Sequence, residues 1–420
     1  MHPHRIRRVG VLVAVSAFLA LVAPARADVV TDWNGYAATA LGATAGQTGP
    51  VSVLHLAMVH GAMYDAVNAI HRRYQPYLRA PRARRWYSRN AAAATAAYRV
   101  LSALLPAQQP ALDALYATSL ASVPQGRARE GGITVGAATA ARMLAAREND
   151  GRFASFRFPV GTAPGEWQPT PPAMINDPNA WVGKVKPFLL RKSARLRVRG
   201  PNPLTSAKYA AQFNEVKTIG SLNSTIRTAD QTDAARFWAG GFAPWIVATR
   251  QLSVDRRLGV ADNARLFAML YLTAADAGIR CWDQKARWLF WRPITAIRAA
   301  DTDGNPATEP DPTWTSLIPA PPYPDHPSGL LCFNGSIAQT LRAFFGTNRI
   351  AFSVTSVNSG TTRSYTRLSQ ATREAINARV WSGIHFRKAD IQGARIGKQV
   401  ARYCAKHYFH RIRRGTSTRD

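Results

Sequence analysis

Apolar residues recur at intervals of three and four over 51–70, 90–105, 110–122 and 127–148, the spacing that lays one apolar stripe along a helix. Pro106, Pro110 and Pro124 separate these stretches, as expected of a residue that lacks an N–H and clashes inside a helix. The turn dipeptides Asn34-Gly35 and Asp150-Gly151 are not flanked by alternating apolar and polar positions, so no hairpin is predicted. Residues 28–158 therefore read as a layer of helices.

From Pro159 to Pro203 there are nine prolines, with Trp167 and Trp181 among them. That density excludes regular structure, and the tryptophans argue against a free linker. We read 159–203 as an ordered strap packed on the helices. Helical spacing resumes over 204–410. Thr205 or Ser206 caps a segment ending at Ile219, and Thr228 with Gln231 forms a capping-box pattern ahead of Phe237 and Trp238. Further helices are predicted over 262–278, 283–298, 328–345 and 369–382. The fold class is all-α, with helical bundles and no internal repeat.

Composition adds a charge asymmetry and an export signal. The chain carries +30, and its first 27 residues hold four arginines and no acid, leaving about +26 beyond them. Arg5, Arg7 and Arg8 precede an apolar run of about 15 residues, and Ala25-Arg26-Ala27 resembles a leader-peptidase site. The run is shorter than the roughly 20 residues of a membrane span, so 1–27 is predicted to be a cleaved leader and the protein secreted or periplasmic, with no span in the mature chain. Cys281, Cys332 and Cys404 permit one disulfide there, with the pairing open. The positive excess suits an anionic cell-surface polymer, nucleic acid or plain solubility. The basic clusters at 79–89, 191–199 and 411–414 have few interleaved aromatics, so a base-stacking surface is weakly supported and a specific nucleic-acid role is not predicted. The last cluster opens a basic tail at 411–420.

Three short stretches carry candidate chemistry. Lys285 and Arg292 stand seven apart in a predicted helix, so two turns, about 10.5 Å, would bring them to one face. A solvated basic stripe is the plain alternative, but Trp288, Phe290 and Trp291 surround them, which implies burial with a counter-ion. In Pro321-Pro322-Tyr323-Pro324-Asp325-His326-Pro327-Ser328-Gly329, the Ser328 hydroxyl and Gly329 amide open a helix, a geometry that binds oxyanions or simply starts a helix. Arg379 lies late in another helix, and Gly383 ends it so that His385 can turn back toward Arg379; a satisfied core histidine is the alternative. His55, His60, Asp65 and His71 lack metal-face spacing and read as structural. No Cys-x-x-Cys, phosphate loop or Gly-x-Ser-x-Gly elbow occurs.

Lysine, six residues, Arg-Pro, then Pro-Ser-Gly, then arginine, five residues and histidine resembles the signature of the vanadium-dependent haloperoxidase and type 2 phosphatidic acid phosphatase superfamily. Residues 56–70, 165–172, 205–238 and 274–298 resemble its bacterial haloperoxidase-like branch. The resemblance implies that Lys285, Arg292 and Arg379 bind the oxygens of vanadate or phosphate together with Ser328 and Gly329. It makes His385 the axial vanadium ligand or, in a phosphatase, the nucleophile. It further implies peroxide-dependent halide oxidation with vanadate as cofactor, hydrogen peroxide and halide as substrates. A phosphate ester is the substrate in the alternative of a soluble acid phosphatase without cofactor, and a non-catalytic oxyanion or polyanion binder is a third reading.

Two positions depart from that signature. The histidine expected after Pro-Ser-Gly, a general acid–base, is Leu330; an alkyl chain moves no proton, and losing such a catalyst removes roughly 10²–10⁴ in rate. His326 is the nearest substitute, acting through a water, although its place in a proline-bound turn favours a structural role. The acid expected four residues after the last histidine is Ala389, with Asp390 one further on, so a backbone carbonyl is left to orient His385.

Overall fold

The computed structural model describes residues 28–79, 81–191, 196 and 198–412; the expected leader, residues 413–420 of the basic tail and part of the 191–199 cluster lie outside them. The first layer consists of α1 (Val29–Thr39), α2 (Gly49–His71), α3 (Arg89–Leu104), α4 (Gln109–Ala121) and α5 (Arg127–Ala146). Each of the four periodic stretches forms a helix within two residues of its expected limits. α2 is buried without interruption from Val51 to Ile70, because it passes between α3 and α5 on one side and the central helix described below on the other.

α1 was not predicted, since Asn34-Gly35 reads as a turn. Two tertiary bonds override that propensity: the buried Asn34 amide donates to the Tyr271 hydroxyl at 2.8 Å and lies 3.0 Å from His60 Nε2. Asp28 caps the helix, accepting from the amides of Val30 and Thr31.

The second part contains α6 (Ala207–Ile219), α7 (Ala229–Phe237), α8 (Ala243–Asp255), α9 (Val260–Trp288), α10 (Pro293–Arg298), α11 (Gly329–Phe345), α12 (Leu368–Trp381) and α13 (Arg387–His407). An antiparallel hairpin, β1 (Phe352–Thr355) and β2 (Thr362–Tyr365), joins α11 to α12 and pairs Phe352 with Tyr365. Ser206 caps α6, and Thr228 and Gln231 form the capping box of α7.

One expected pair of helices differs in a way that matters. The segments predicted over 262–278 and 283–298 are a single 29-residue helix, α9, followed by the separate α10. Gly278 does not end it; a Cβ there would stand 2.8 Å from the Phe333 ring, so this glycine admits a packed aromatic. The break comes at Leu289, in the left-handed region at φ 42. Lys285 and Arg292 consequently do not share a helix face.

α8 and α13 were also not predicted. In α13, Ile396, Val400 and Cys404 keep a four-residue spacing, but Gly393, Gly397 and the polar Asp390 and Gln392 share its buried face and dilute the pattern. Those glycines let two backbones touch. A Cβ on Gly393 would collide with the Ser328 carbonyl, one on Gly397 with the Cys332 carbonyl, and one on Gly335 of α11 with the Ala394 carbonyl.

Among the described residues between α5 and α6 the only helical segment is a 3₁₀ turn, Ala180–Lys184, and Trp167 and Trp181 are buried. The segment is pinned by Asp276 of α9, whose carboxylate accepts from the amides of Phe188, Leu189 and Leu190 at 2.6, 2.7 and 2.6 Å. Cys281, Cys332 and Cys404 are buried free thiols, so the permitted disulfide is not formed. Among the described residues no helix is long and apolar enough to cross a membrane.

Because the obstacle at position 393 is backbone, Gly393→Ala is expected to destabilise the fold by about 1–3 kcal/mol, the range for overpacking. Chemical denaturation checks this: an unchanged midpoint would mean that the two helices are free to separate.

Candidate oxyanion site

The strap decides where Arg292 points. Trp167 donates its amide to the Leu289 carbonyl at 2.6 Å, and Trp291 donates to the Gly165 carbonyl at 3.0 Å, with Glu166 bridged to Phe290. These bonds hold the chain extended just past α9. Arg292 stands at the N-cap of α10 and turns back toward Lys285 in the last turn of α9. The proline-rich segment is fixed between the same partners: Asp325 donates its amide to the Phe290 carbonyl, and Asp177 of the strap donates to the Pro322 carbonyl. On the other side Gly383, at φ 76, crosses Gly220 with no room for a side chain on either. That crossing ends the α12 segment and directs His385 inward.

Lys285, Arg292, Ser328, Arg379 and His385 are all buried, and they converge. Lys285 Nζ donates to the Pro324 and Asp325 carbonyls at 2.5 and 3.2 Å. Arg292 Nε donates to the Tyr323 carbonyl, and its Nη1 donates to the Ile384 carbonyl, each at 2.8 Å. The same Nη1 lies 3.2 Å from His385 Nε2. Both cations sit over the Tyr323 ring, with Lys285 Nζ at 4.8 Å and Arg292 Cζ at 5.0 Å from its centroid. Gly329 opens α11 where a Cβ would stand 2.9 Å from Trp282 and 3.9 Å from Lys285 Cε, so only glycine brings this helix end so close to the lysine.

A residue missed in the sequence orients the imidazole. Asp325 Oδ1 is 2.7 Å from His385 Nδ1 and 4.0 Å from Arg292 Nη1. Burial first, then the Arg292, Arg379 and Lys285 charges, push the His385 pKa well below its ordinary value, so the ring is neutral. With Nδ1–H donated to a carboxylate, the lone pair is on Nε2. Proline, aspartate, histidine, proline in sequence signalled only a rigid turn; nothing placed its carboxylate beside a ring 60 residues away.

Positive charge is in excess here. Burial lowers the pKa of Lys285 to about 8 and also lowers those of Arg292 and Arg379. The two nearby acids offset little of it. Burial raises Asp325 to about 7 against the pull of Arg292, and raises Asp390 well above its ordinary range against Ser328 and Arg379. Arg292 Nη2, Arg379 Nε and Ser328 Oγ make no hydrogen bond, and Ser328 Oγ lies beside Asp390 without meeting it in bonding geometry. Buried donors on cations are costly when unpaired. These two cationic donors, the Ser328 hydroxyl, a helix N-terminus and an imidazole Nε2 that faces the Arg292 guanidinium fit a tetrahedral oxyanion such as phosphate or vanadate.

The remaining candidates lie elsewhere. His326 Nε2 is 2.8 Å from the Arg199 carbonyl, its ring packs on Trp288, and burial lowers its pKa to about 4. Leu330 lines a cavity that reaches Gly329, Tyr323 and Arg379. His55 bonds Gln47, and His60 stacks against Phe267 and Tyr271. Asp65 accepts from the amides of Tyr77 and Leu78. Among the described residues no group of His, Cys, Asp and Glu is arranged to hold a metal ion.

Comparison with known proteins bears on the fold. Residues 265–414 match the family model of the VCPO second helical-bundle domain. The vanadium chloroperoxidase of Curvularia inaequalis is 27% identical over 281 residues, 54% of this chain and 45% of that protein, so the match spans under half of the relative's length. A bacterial vanadium-dependent iodoperoxidase superposes with a TM-score of 0.77 at 22% identity, covering 92% of this chain and 97% of the other. A holo-type bacterial vanadium-dependent chloroperoxidase gives 0.69 at 18% identity, covering 88% and 96%. The chain has the all-helical fold of these enzymes, and its residues 265–414 are similar to the second helical bundle of the vanadium chloroperoxidase family.

Two outcomes test the electrostatics. Lys285 is protonated below about pH 8 and neutral above it, so phosphate affinity measured by calorimetry should fall more steeply above pH 8 in the wild type than in Lys285→Arg, which keeps its charge. Asp325→Asn removes a negative charge beside the cations but frees the imidazole. Phosphate should bind it at least as tightly as the wild type, while any reaction needing His385 slows by about 10–100-fold; equal rates would show that the carboxylate does not orient the ring.

Proposed function

We propose that this cage binds vanadate and that the chain is a haloperoxidase-like oxidoreductase acting on hydrogen peroxide and halide. The observation that carries the reading is the convergence of three buried cations, two of them with an unpartnered donor, on a neutral imidazole whose Nε2 lone pair faces the Arg292 guanidinium. Arg292 Nη2, Arg379 Nε, Ser328 Oγ, the Gly329 amide and Lys285 would hold the oxygens, and His385 Nε2 would bond the metal. When bound, vanadate supplies Lewis-acid activation of peroxide toward halide. Asp325 keeps the proton on Nδ1, and the burial of Lys285 and Arg292 excludes water from the cationic side of the cage.

Proton delivery is the weak step. Leu330 occupies the place of the acid–base histidine, and the Nε2 of His326 is committed to the Arg199 carbonyl. Protons then come from water entering by the cavity, so turnover is slow rather than absent. We further read 1–27 as a removed leader, which N-terminal sequencing of protein recovered outside the cytoplasm tests: a chain starting at Asp28 supports it.

Vanadate affinity by calorimetry should drop roughly 10–100-fold in Arg379→Ala, since a charge-assisted bond to a buried anion is lost. Leu330→His should raise peroxide-dependent bromination by up to about 10²–10⁴-fold. If vanadate binds but neither protein brominates, the cage is an anion-binding site without this activity. A second reading rests on the Asp325-oriented lone pair, which is also a phosphorus nucleophile. It expects hydrolysis of phenyl phosphate that vanadate inhibits and His385→Ala abolishes.

A further inference from the structure

A cavity of about 620 Å³ opens onto the cage at Gly329, Leu330, Tyr323 and Arg379, within the size range of small-molecule sites. One side of it is a continuous row of rings. Tyr323 and Trp282 have centroids 5.2 Å apart, Trp282 and Phe333 6.3 Å, and Phe333 and Phe242 5.4 Å. Leu330 continues this surface at the very position where the signature has a histidine. Part of the remaining lining is small: Gly35, Ala38 and Gly42 contribute almost no side chain, and nothing stands within 4 Å of where a Cβ on Gly42 would be. The lining thus leaves room beside an aromatic wall, the shape that takes a flat apolar guest.

The charges say how such a guest is held. Arg379 lies at the inner end, and Arg250 also lines an adjoining open hollow with Asp32 and Gln251, which puts it at the mouth. Arg250 Nη1 donates to the Asn34 side-chain carbonyl at 3.2 Å, a neutral partner that leaves its charge available. Val247 and Val357 beside it are exposed, Val357 by 92%. Isolated exposed valines are ordinary, but here they continue the apolar lining outward.

We propose that this cavity is the binding site for an aromatic monoanion, an aryl carboxylate or phenolate, whose ring lies along the Tyr323–Trp282–Phe333–Phe242 wall with its anionic group at Arg250. The replacement of an acid–base histidine by Leu330 is then a gain of ring-contacting surface next to the cage. As a binding statement it stands alone; the role of the guest as halogen acceptor rests on the haloperoxidase reading. In that role the ring exchanges one hydrogen for halogen. The halide gives two electrons to hydrogen peroxide, which leaves as two waters after taking up the ring proton and one from solution.

The test uses 2-naphthoate and its neutral counterpart 2-naphthamide, followed by tryptophan fluorescence of the full mature chain with phosphate saturating the cage. Naphthoate should bind saturably and more tightly than the amide. Arg250→Gln should erase that preference, with a loss of about tenfold for naphthoate, and Ala38→Trp should abolish binding of both by filling the space. Phosphate calorimetry on both variants should match the wild type, since neither residue belongs to the cage. Naphthoate binding unchanged by Ala38→Trp, or absent from wild type that still binds phosphate, overturns the proposal and leaves the cage intact. Naphthoate bound as expected by a protein that takes neither phosphate nor vanadate supports the pocket and removes the oxyanion reading instead.

Discussion

Three cationic side chains lie in the interior with too little negative charge around them. Taking one charge out of water costs several kcal/mol even after relaxation, and here the nearby carboxyls are themselves pushed toward their neutral forms by burial. Backbone carbonyls offset part of this for two of the cations. Lys285 is met by Pro324 and Asp325, and Arg292 by Tyr323 and Ile384. Carbonyls position a cation without neutralising it. What remains is a preorganised positive void, and the donors left over on Arg292, Arg379 and Ser328 give it direction.

The rest of the architecture serves to hold that void open. Proline-rich and irregular as it is, the strap works as a template whose hydrogen bonds to residues 289–291 stop α9 and start α10, which separates Lys285 from Arg292 by a corner. Asp276 anchors the far end of the same strap to α9. Glycines at 335, 393 and 397 bring α11 and α13 to backbone contact, and Gly220 and Gly383 do the same beneath His385. Each close approach fixes one wall of the cage by excluded volume, the least deformable of the available forces.

Function divides along the same line. On the proposed reading the anion-binding half of the site is complete, with the His385 imidazole oriented by Asp325. The proton-transferring half is replaced by Leu330, which belongs physically to the aromatic cavity. One substitution thus exchanges acid–base capacity for apolar contact surface, and it does so at the boundary where the cage meets the space for a guest.

Much of this was legible in the amino-acid order. Helical periodicity located four helices of the first layer, and the spacing of Lys285, Arg292, Ser328, Gly329, Arg379 and His385 selected the residues that converge, because residue type and interval survive in one dimension. That spacing suggests two cations on one helix face, which the structure does not have; a local pattern carries no sign of a strap that breaks the helix from outside. α13 escaped notice because glycines stood where its packing face needed absence rather than bulk. Asp325 escaped because a carboxylate beside an imidazole is a fact of tertiary distance. Which side chains are chemically able was set by the sequence, and which of them meet, with what charge and in which tautomer, was decided by burial and by contacts between segments far apart in the chain.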